Sequence, residues 1–67
     1  MAVAKVIEIS CTSDKSFEDA IKQGISRASK TVDNIRGAWV KEQKIEISKG
    51  KIVGYRVNMS VTFVLAD

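Results

Sequence analysis

The last third of the chain alternates without a break. Val53, Tyr55, Val57, Met59, Val61, Phe63 and Leu65 are interleaved with Gly54, Arg56, Asn58, Ser60, Thr62 and Val64. Neighbouring side chains on a strand point to opposite faces, so this run predicts one extended strand with an apolar face and a mostly polar one. At about 3.4 Å per residue it reaches ~40 Å. The chain has only 67 residues, enough for a single small domain spanning 1–67. Domains of this size bury a marginal core when alone.

The other elements follow from their periodicities. From Ala2 to Ser10 the β-branched run AVAKVIEIS reads as a first strand, with Ile7 and Ile9 on one face and Val6 and Glu8 on the other. Ser16 then offers a hydroxyl to the free amides of a first helical turn, and Asp19 stands where a capping-box acid belongs. Phe17, Ala20, Ile21, Gly24, Ile25, Ala28 and Val32 form one apolar helical stripe, and Glu18, Lys22, Gln23, Ser26, Arg27 and Lys30 form the polar side. The spacing predicts that this helix ends near Asp33–Asn34. A second strand runs from Gly37 to Ser48, and its apolar parity switches between Val40 and Ile45, which implies a bulge or a strand that changes the surface it covers. Ser48-Lys49-Gly50-Lys51 supplies a tight turn, with a glycine available for positive φ.

The order β-α-β-β gives an α+β fold, a three-stranded antiparallel sheet wrapped around one helix. A helix of four to five turns covers only ~25 Å. The ends of the long hairpin stay uncovered, and Trp39 falls on the face opposite Ala38 and Val40. The chain therefore needs partners, and copies of itself are the simplest.

Other routes to stability are closed. Cys11 is the only cysteine and there is no histidine, which excludes an intrachain disulfide and a Cys/His zinc site. The net charge of +3 permits anionic ligands without demanding them. No apolar run approaches the ~18 residues of a membrane span, and Lys5 and Glu8 interrupt the N-terminal apolar stretch, so neither membrane nor secretion is expected. A reducing cytoplasm is the expected location. With no histidine, no glycine-rich phosphate loop and no nucleophile motif, the chain is not expected to be an enzyme.

Over nearly its whole length the sequence resembles the dodecin family. The resemblance is carried by Lys5-Val6-Ile7-Glu8-Ile9, then Thr12-Ser13, Ser16-Phe17 and Asp19-Ala20-Ile21. Ala28-Ser29-Lys30-Thr31-Val32, Asn34-Ile35 and the strand Tyr55 to Phe63 continue it. It implies the β-α-β-β fold, a homododecameric hollow shell, no catalysis, and storage of flavins (FMN, FAD or riboflavin) stacked between aromatic side chains. Three positions depart from the flavin-binding pattern. Gly37 stands where the flavin-stacking tryptophan belongs, Arg56 where a flavin-facing glutamine belongs, and Cys11 where a glycine precedes Thr-Ser. Thr31 to Arg36, followed by Val40 and Glu42-Gln43, is more similar to the subgroup called calcium dodecins, which lacks that tryptophan.

Four ligand-facing positions follow from the resemblance: Gly37, Trp39, Glu46 and Arg56. Trp39 keeps the strand face of the missing tryptophan, ~7 Å further along. It reads as a subunit-interface anchor, a role tryptophan favours, or as a displaced stacking surface. Arg56 suits a phosphate, a carboxylate or an aromatic face; the alternative is an intersubunit ion pair with Glu42 or Glu46. Glu46 aligns with an acidic residue near the flavin in some members, or is a solvated strand glutamate. Cys11 reads as a small buried residue. The leading function is a dodecin-type binding and storage shell for flavin, and the alternative is a variant that binds Ca2+, another metal or an anion. No EF-hand pattern is present, and symmetry could gather carboxylates from several copies, so the metal residues stay open. A remote alternative is a nucleic-acid binder using Arg56, Lys41 and Lys44.

Overall fold

The computed structural model describes residues 3–65. Four elements follow one another: β1 (Ala4–Ser13), α1 (Phe17–Ala28), β2 (Ile35–Ser48) and β3 (Lys51–Val64). The strands make one antiparallel sheet in the order β1-β3-β2, so the strictly alternating strand lies at the centre. A central strand must pair on both edges and pack on its faces, which is why its pattern is the cleanest in the chain.

The first strand runs further than its periodicity suggests. Cys11, Thr12 and Ser13 continue the ladder opposite Val57, Arg56 and Tyr55. Ala2, where the expected strand begins, lies outside the described residues. At the other end Leu65 has left the strand, yet its amide still donates to the Val3 carbonyl (2.9 Å).

The helix is shorter than expected, ending at Ala28 rather than near Asp33–Asn34. The reason is local competition for carbonyls. Ser29 Oγ donates to the Ile25 carbonyl at 2.8 Å, and the amides of Lys30 and Thr31 donate three residues back, to Arg27 and Ala28. This tightens the last turn, and Ser and Thr side chains that bond the backbone are poor helix continuers. Asn34 then takes a left-handed φ of 63° and turns the chain into β2. Val32, expected on the apolar stripe, lies past the helix.

The parity change in β2 is real. Its register against β3 shifts between Ile35 and Gly37, between Val40 and Glu42, and between Glu46 and Ile47. The β2–β3 turn places Lys49 at φ 53° and Gly50 at φ 76°, the pair of positive angles a two-residue hairpin turn requires.

The core lies under the helix. Cys11, Ala20, Val57 and Met59 are buried, with Ile9, Phe17, Ile21 and Ile25 packed around them. Phe17 meets Tyr55 edge-on at 5.2 Å between ring centroids. The helix approaches β1 at Gly24, where an added Cβ would overlap the Cys11 sulfur. Glycine there is a packing requirement. Burial also pushes the Cys11 thiol above its ordinary pKa, so it behaves as a small apolar group.

The helix start is tied to the sheet. The Asp19 amide donates to Ser16 Oγ at 2.9 Å, as an N-cap should. The Asp19 carboxylate departs from the capping-box expectation: it accepts from Ser13 Oγ (2.5 Å) and Gln23 Nε2 (2.6 Å). Ser13 in turn accepts from the Lys15 amide. Chiefly through the Ser13 hydroxyl, the Asp19 carboxyl is held below its ordinary pKa. A depressed carboxylate stabilises the fold above its unfolded pKa, and the effect fades as pH falls through the folded value. Asp19→Asn is therefore expected to lower the thermal midpoint at neutral pH, with the gap to the parent closing below about pH 4. A gap independent of pH would show that the carboxylate charge is not the stabilising element.

Candidate functional site

The helix sits over β1 and β3 and leaves the inner side of β2 bare. No residue of β2 is buried. Ala38 and Val40 stand opposite Val61 and Met59 and so share the helix side of the sheet, as their parity implies, but the helix does not reach them; Val40 is 47% exposed. Ile45, Ile47, Ile52 and Val53 extend this bare apolar area toward the hairpin tip, with Ile47 65% exposed. The described residues extend over 51 Å. The twelve-residue helix covers about 18 Å at 1.5 Å per residue.

The other face of the sheet, free of any helix, is mostly polar, with a half-exposed Val6 opposite Thr62, and it carries all four expected ligand residues. Trp39 stands opposite Ser60 and is 61% exposed. Beside it, Gly37 faces Thr62, and the two help to line a shallow hollow of about 390 Å³ that Trp39 borders. Nothing lies within 4 Å of where a Gly37 side chain would start.

Arg56 and Glu46 form a second group on the same face. The guanidinium meets the Glu46 carboxylate at 3.4 Å within one chain, so Arg56 needs no acid from a neighbouring copy. Gly54 makes the pairing possible: it stands opposite Glu46, and a Cβ there would come within 2.9 Å of Glu46 Oε1. Four residues of β3 separate Arg56 from Ser60, or about 14 Å. The structure thus divides the four positions into an aromatic end and a charged end.

Between the ends lies a polar stretch that sequence reasoning did not assemble. Asn58 Nδ2 donates to Glu42 Oε1 at 3.1 Å, and Lys41 Nζ reaches across the sheet to Glu8 Oε1 at 2.6 Å. The Glu8 hydrogen bond raises the Lys41 pKa above its ordinary value. The bulge after Val40 is what brings Lys41 and Glu42 to their partners, and a parity argument cannot place residues at a bulge. Gly54 was the readable signal, since a glycine inside a strand marks a close approach.

Among the described residues no three of His, Cys, Asp and Glu come together as a metal site. No helix is long and apolar enough to cross a membrane. Of the cations suggested for nucleic acid, Lys41 and Arg56 are each engaged by a carboxylate of the same chain.

A half-covered sheet with a mostly polar face that bears an exposed tryptophan is the architecture of a small binding protein. The sequence matches the Dodecin family over residues 3–66. It is 40% identical over 63 residues to calcium dodecin of Mycobacterium tuberculosis, covering 94% of this chain and 89% of that one. The crystal structure of that organism's calcium-chelating antigen, calcium dodecin, superposes with a TM-score of 0.83 at 42% identity, over 96% of this chain and 91% of the other. Dodecin from Streptomyces davaonensis superposes with a TM-score of 0.94 at 33% identity, over 98% and 97% of the two chains. The chain belongs to the dodecin family, a non-catalytic family of small-ligand binders. The family forms homododecamers and binds flavins.

Proposed function

We propose that this chain assembles as a homododecamer that holds a planar aromatic ligand of the flavin class, with Trp39 as the stacking platform. The observation that carries the ligand reading is the placement of Trp39: well exposed, beside the open Gly37 hollow, and on the mostly polar face rather than beside Val40, Ile45 and Ile47. A tryptophan whose task is to fill an interface belongs with the apolar surface that needs covering. That surface, Val40, Ile45, Ile47 and Ile52, supports the assembly reading instead. With Gly37 at the usual tryptophan position, the flavin is held more weakly than where that tryptophan is present.

Light scattering combined with a flavin titration tests both parts. The expected mass is twelve times the 7.4 kDa chain, and added FMN is expected to quench Trp39 emission with micromolar affinity or weaker, on the order of −8 kcal/mol. A stable monomer at micromolar concentration would refute the assembly. A dodecamer whose Trp39 emission ignores saturating FMN would refute the ligand.

A second reading is Ca2+ binding, which the similarity to calcium dodecin favours. Glu42 and Glu46 lie on the helix-free face with Glu8, but they are already engaged by Asn58, Arg56 and Lys41, so a calcium site would draw carboxylates from several copies. Calorimetric titration of Ca2+ into the assembled protein tests it, and an absence of saturable heat would exclude it.

A further inference from the structure

We infer that the groove between α1 and the open edge of β1 is a second ligand site, which takes a single-chain aliphatic carboxylate. The groove lies on the helix side of the sheet, away from Trp39, and the inference does not rest on the flavin reading.

The groove follows from how the helix meets the strand. Ile7, Ile9 and Cys11 line it from β1, and Gly24 and Ala28, one turn apart, line it from α1. With no side chain at Gly24, the helix closes on β1 at Cys11. Beside that contact a hollow of about 540 Å³ stays open. β1 is an edge strand, so no further strand of the chain covers its outer side. The size falls within the ~300–1,000 Å³ of small-molecule sites. The floor is aliphatic apart from the Cys11 thiol, which packs as a small hydrophobe.

Charge decides what such a floor would hold. Among the described residues that line the groove, Arg27 alone is charged. Arg27 joins none of the ion pairs among the described residues, which are Lys22–Glu18, Lys41–Glu8 and Arg56–Glu46. On its outer side Arg27 borders a shallow hollow shared with Lys22 and Lys30, and no acid lines that hollow. An apolar trough that ends at an unpaired guanidinium matches an alkyl chain with one negative head. The planar guanidinium takes a carboxylate through two parallel hydrogen bonds. The rival occupant is the apolar hairpin tip of a second copy, with its exposed Ile47 and Ile52. That tip also carries Lys49 and Lys51 and would bring like charges toward Arg27. A carboxylate brings the opposite charge.

Decanoate and decanol, each kept below the concentration at which it aggregates, test the site on the full chain in its native assembly. Calorimetry is expected to show saturable binding of decanoate. Affinity is expected to rise about threefold per methylene from octanoate to decanoate, as burial of an alkyl chain implies. Arg27→Gln, a change at an exposed position, is expected to weaken decanoate about tenfold and leave decanol nearly unchanged. With isotope-labelled isoleucine methyls, Ile7 and Ile9 are expected to shift on adding decanoate while Ile47 and Ile52 do not. Equal decanoate affinity in the parent and Arg27→Gln would overturn the carboxylate assignment. Shifts confined to Ile47 and Ile52 would place the binding elsewhere and overturn the site. An assembled protein with no saturable uptake would also overturn it, and would identify a neighbouring copy as the cover of the groove. Each outcome leaves the reading of Trp39 as it stands.

Discussion

Replacing Gly24 with alanine is expected to destabilise this protein, although alanine is the better helix former. In a free helix the change would gain up to ~1 kcal/mol. Here the new methyl would overlap the Cys11 sulfur and lie 3.3 Å from Met59 Cε, inside the buried cluster. Overpacking of a close-packed core typically costs ~1–3 kcal/mol. Met59 can give way, because the crowded atom is the end of a flexible side chain. Cys11 gives way less easily, because its sulfur moves only by rotation about χ1 inside the buried cluster. Cys11→Ala removes the sulfur and leaves a tight but tolerable approach of 3.2 Å between the Cys11 Cβ position and the new methyl. The double variant Cys11→Ala/Gly24→Ala is therefore expected to be at least ~1 kcal/mol more stable than the sum of the single effects predicts. Thermal midpoints taken at one protein concentration would show it. If Gly24→Ala alone is as stable as the parent, the close approach of helix to β1 is wrong.

That pair also shows what a sequence can and cannot disclose. Gly24 reads as one more small residue on an apolar stripe, and Cys11 as a small buried residue. Each reading is correct. Their dependence on each other appears only when the helix is docked, because the close approach joins two elements by packing rather than by pattern. The β-α-β-β order, the strand parities and the uncovered hairpin were all legible, since they follow from local periodicity and chain length. The helix end was not, because Ser29 and Thr31 compete for carbonyls through their own side chains. The site was half legible. The family resemblance singled out Trp39, Glu46 and Arg56, but the Glu46–Arg56 pairing depends on the gap at Gly54, and the Lys41–Glu8 bridge on a bulge whose position no periodicity fixes.

Trp39→Ala separates the two roles open to that residue. As an interface anchor, its loss would weaken assembly, since truncating a tryptophan buried between subunits commonly costs ~2 kcal/mol or more. As a platform, its loss would leave the dodecamer intact and remove the stacking surface. The surroundings favour the second outcome. Trp39 neighbours Ser60 in the ladder, close to the Glu8–Lys41 pair, whereas the bare aliphatics Val40, Ile45 and Ile47 lie on the opposite side of the sheet and only Val6 of β1 sits nearer to it. A side chain on the polar face that is 61% exposed adds little to the burial of the other face. Stacking of a planar heterocycle on an aromatic residue is worth ~1–3 kcal/mol by analogy with bases. FMN affinity is thus expected to fall ~10-fold or more in Trp39→Ala, with solution mass unchanged and the ligand-free thermal midpoint within a few degrees of the parent. Trp39→Phe, which keeps a smaller ring, is expected to retain part of the affinity. Dissociation of the Trp39→Ala assembly at a concentration where the parent stays intact would identify an anchor, and the ligand platform would then have to lie elsewhere on the sheet.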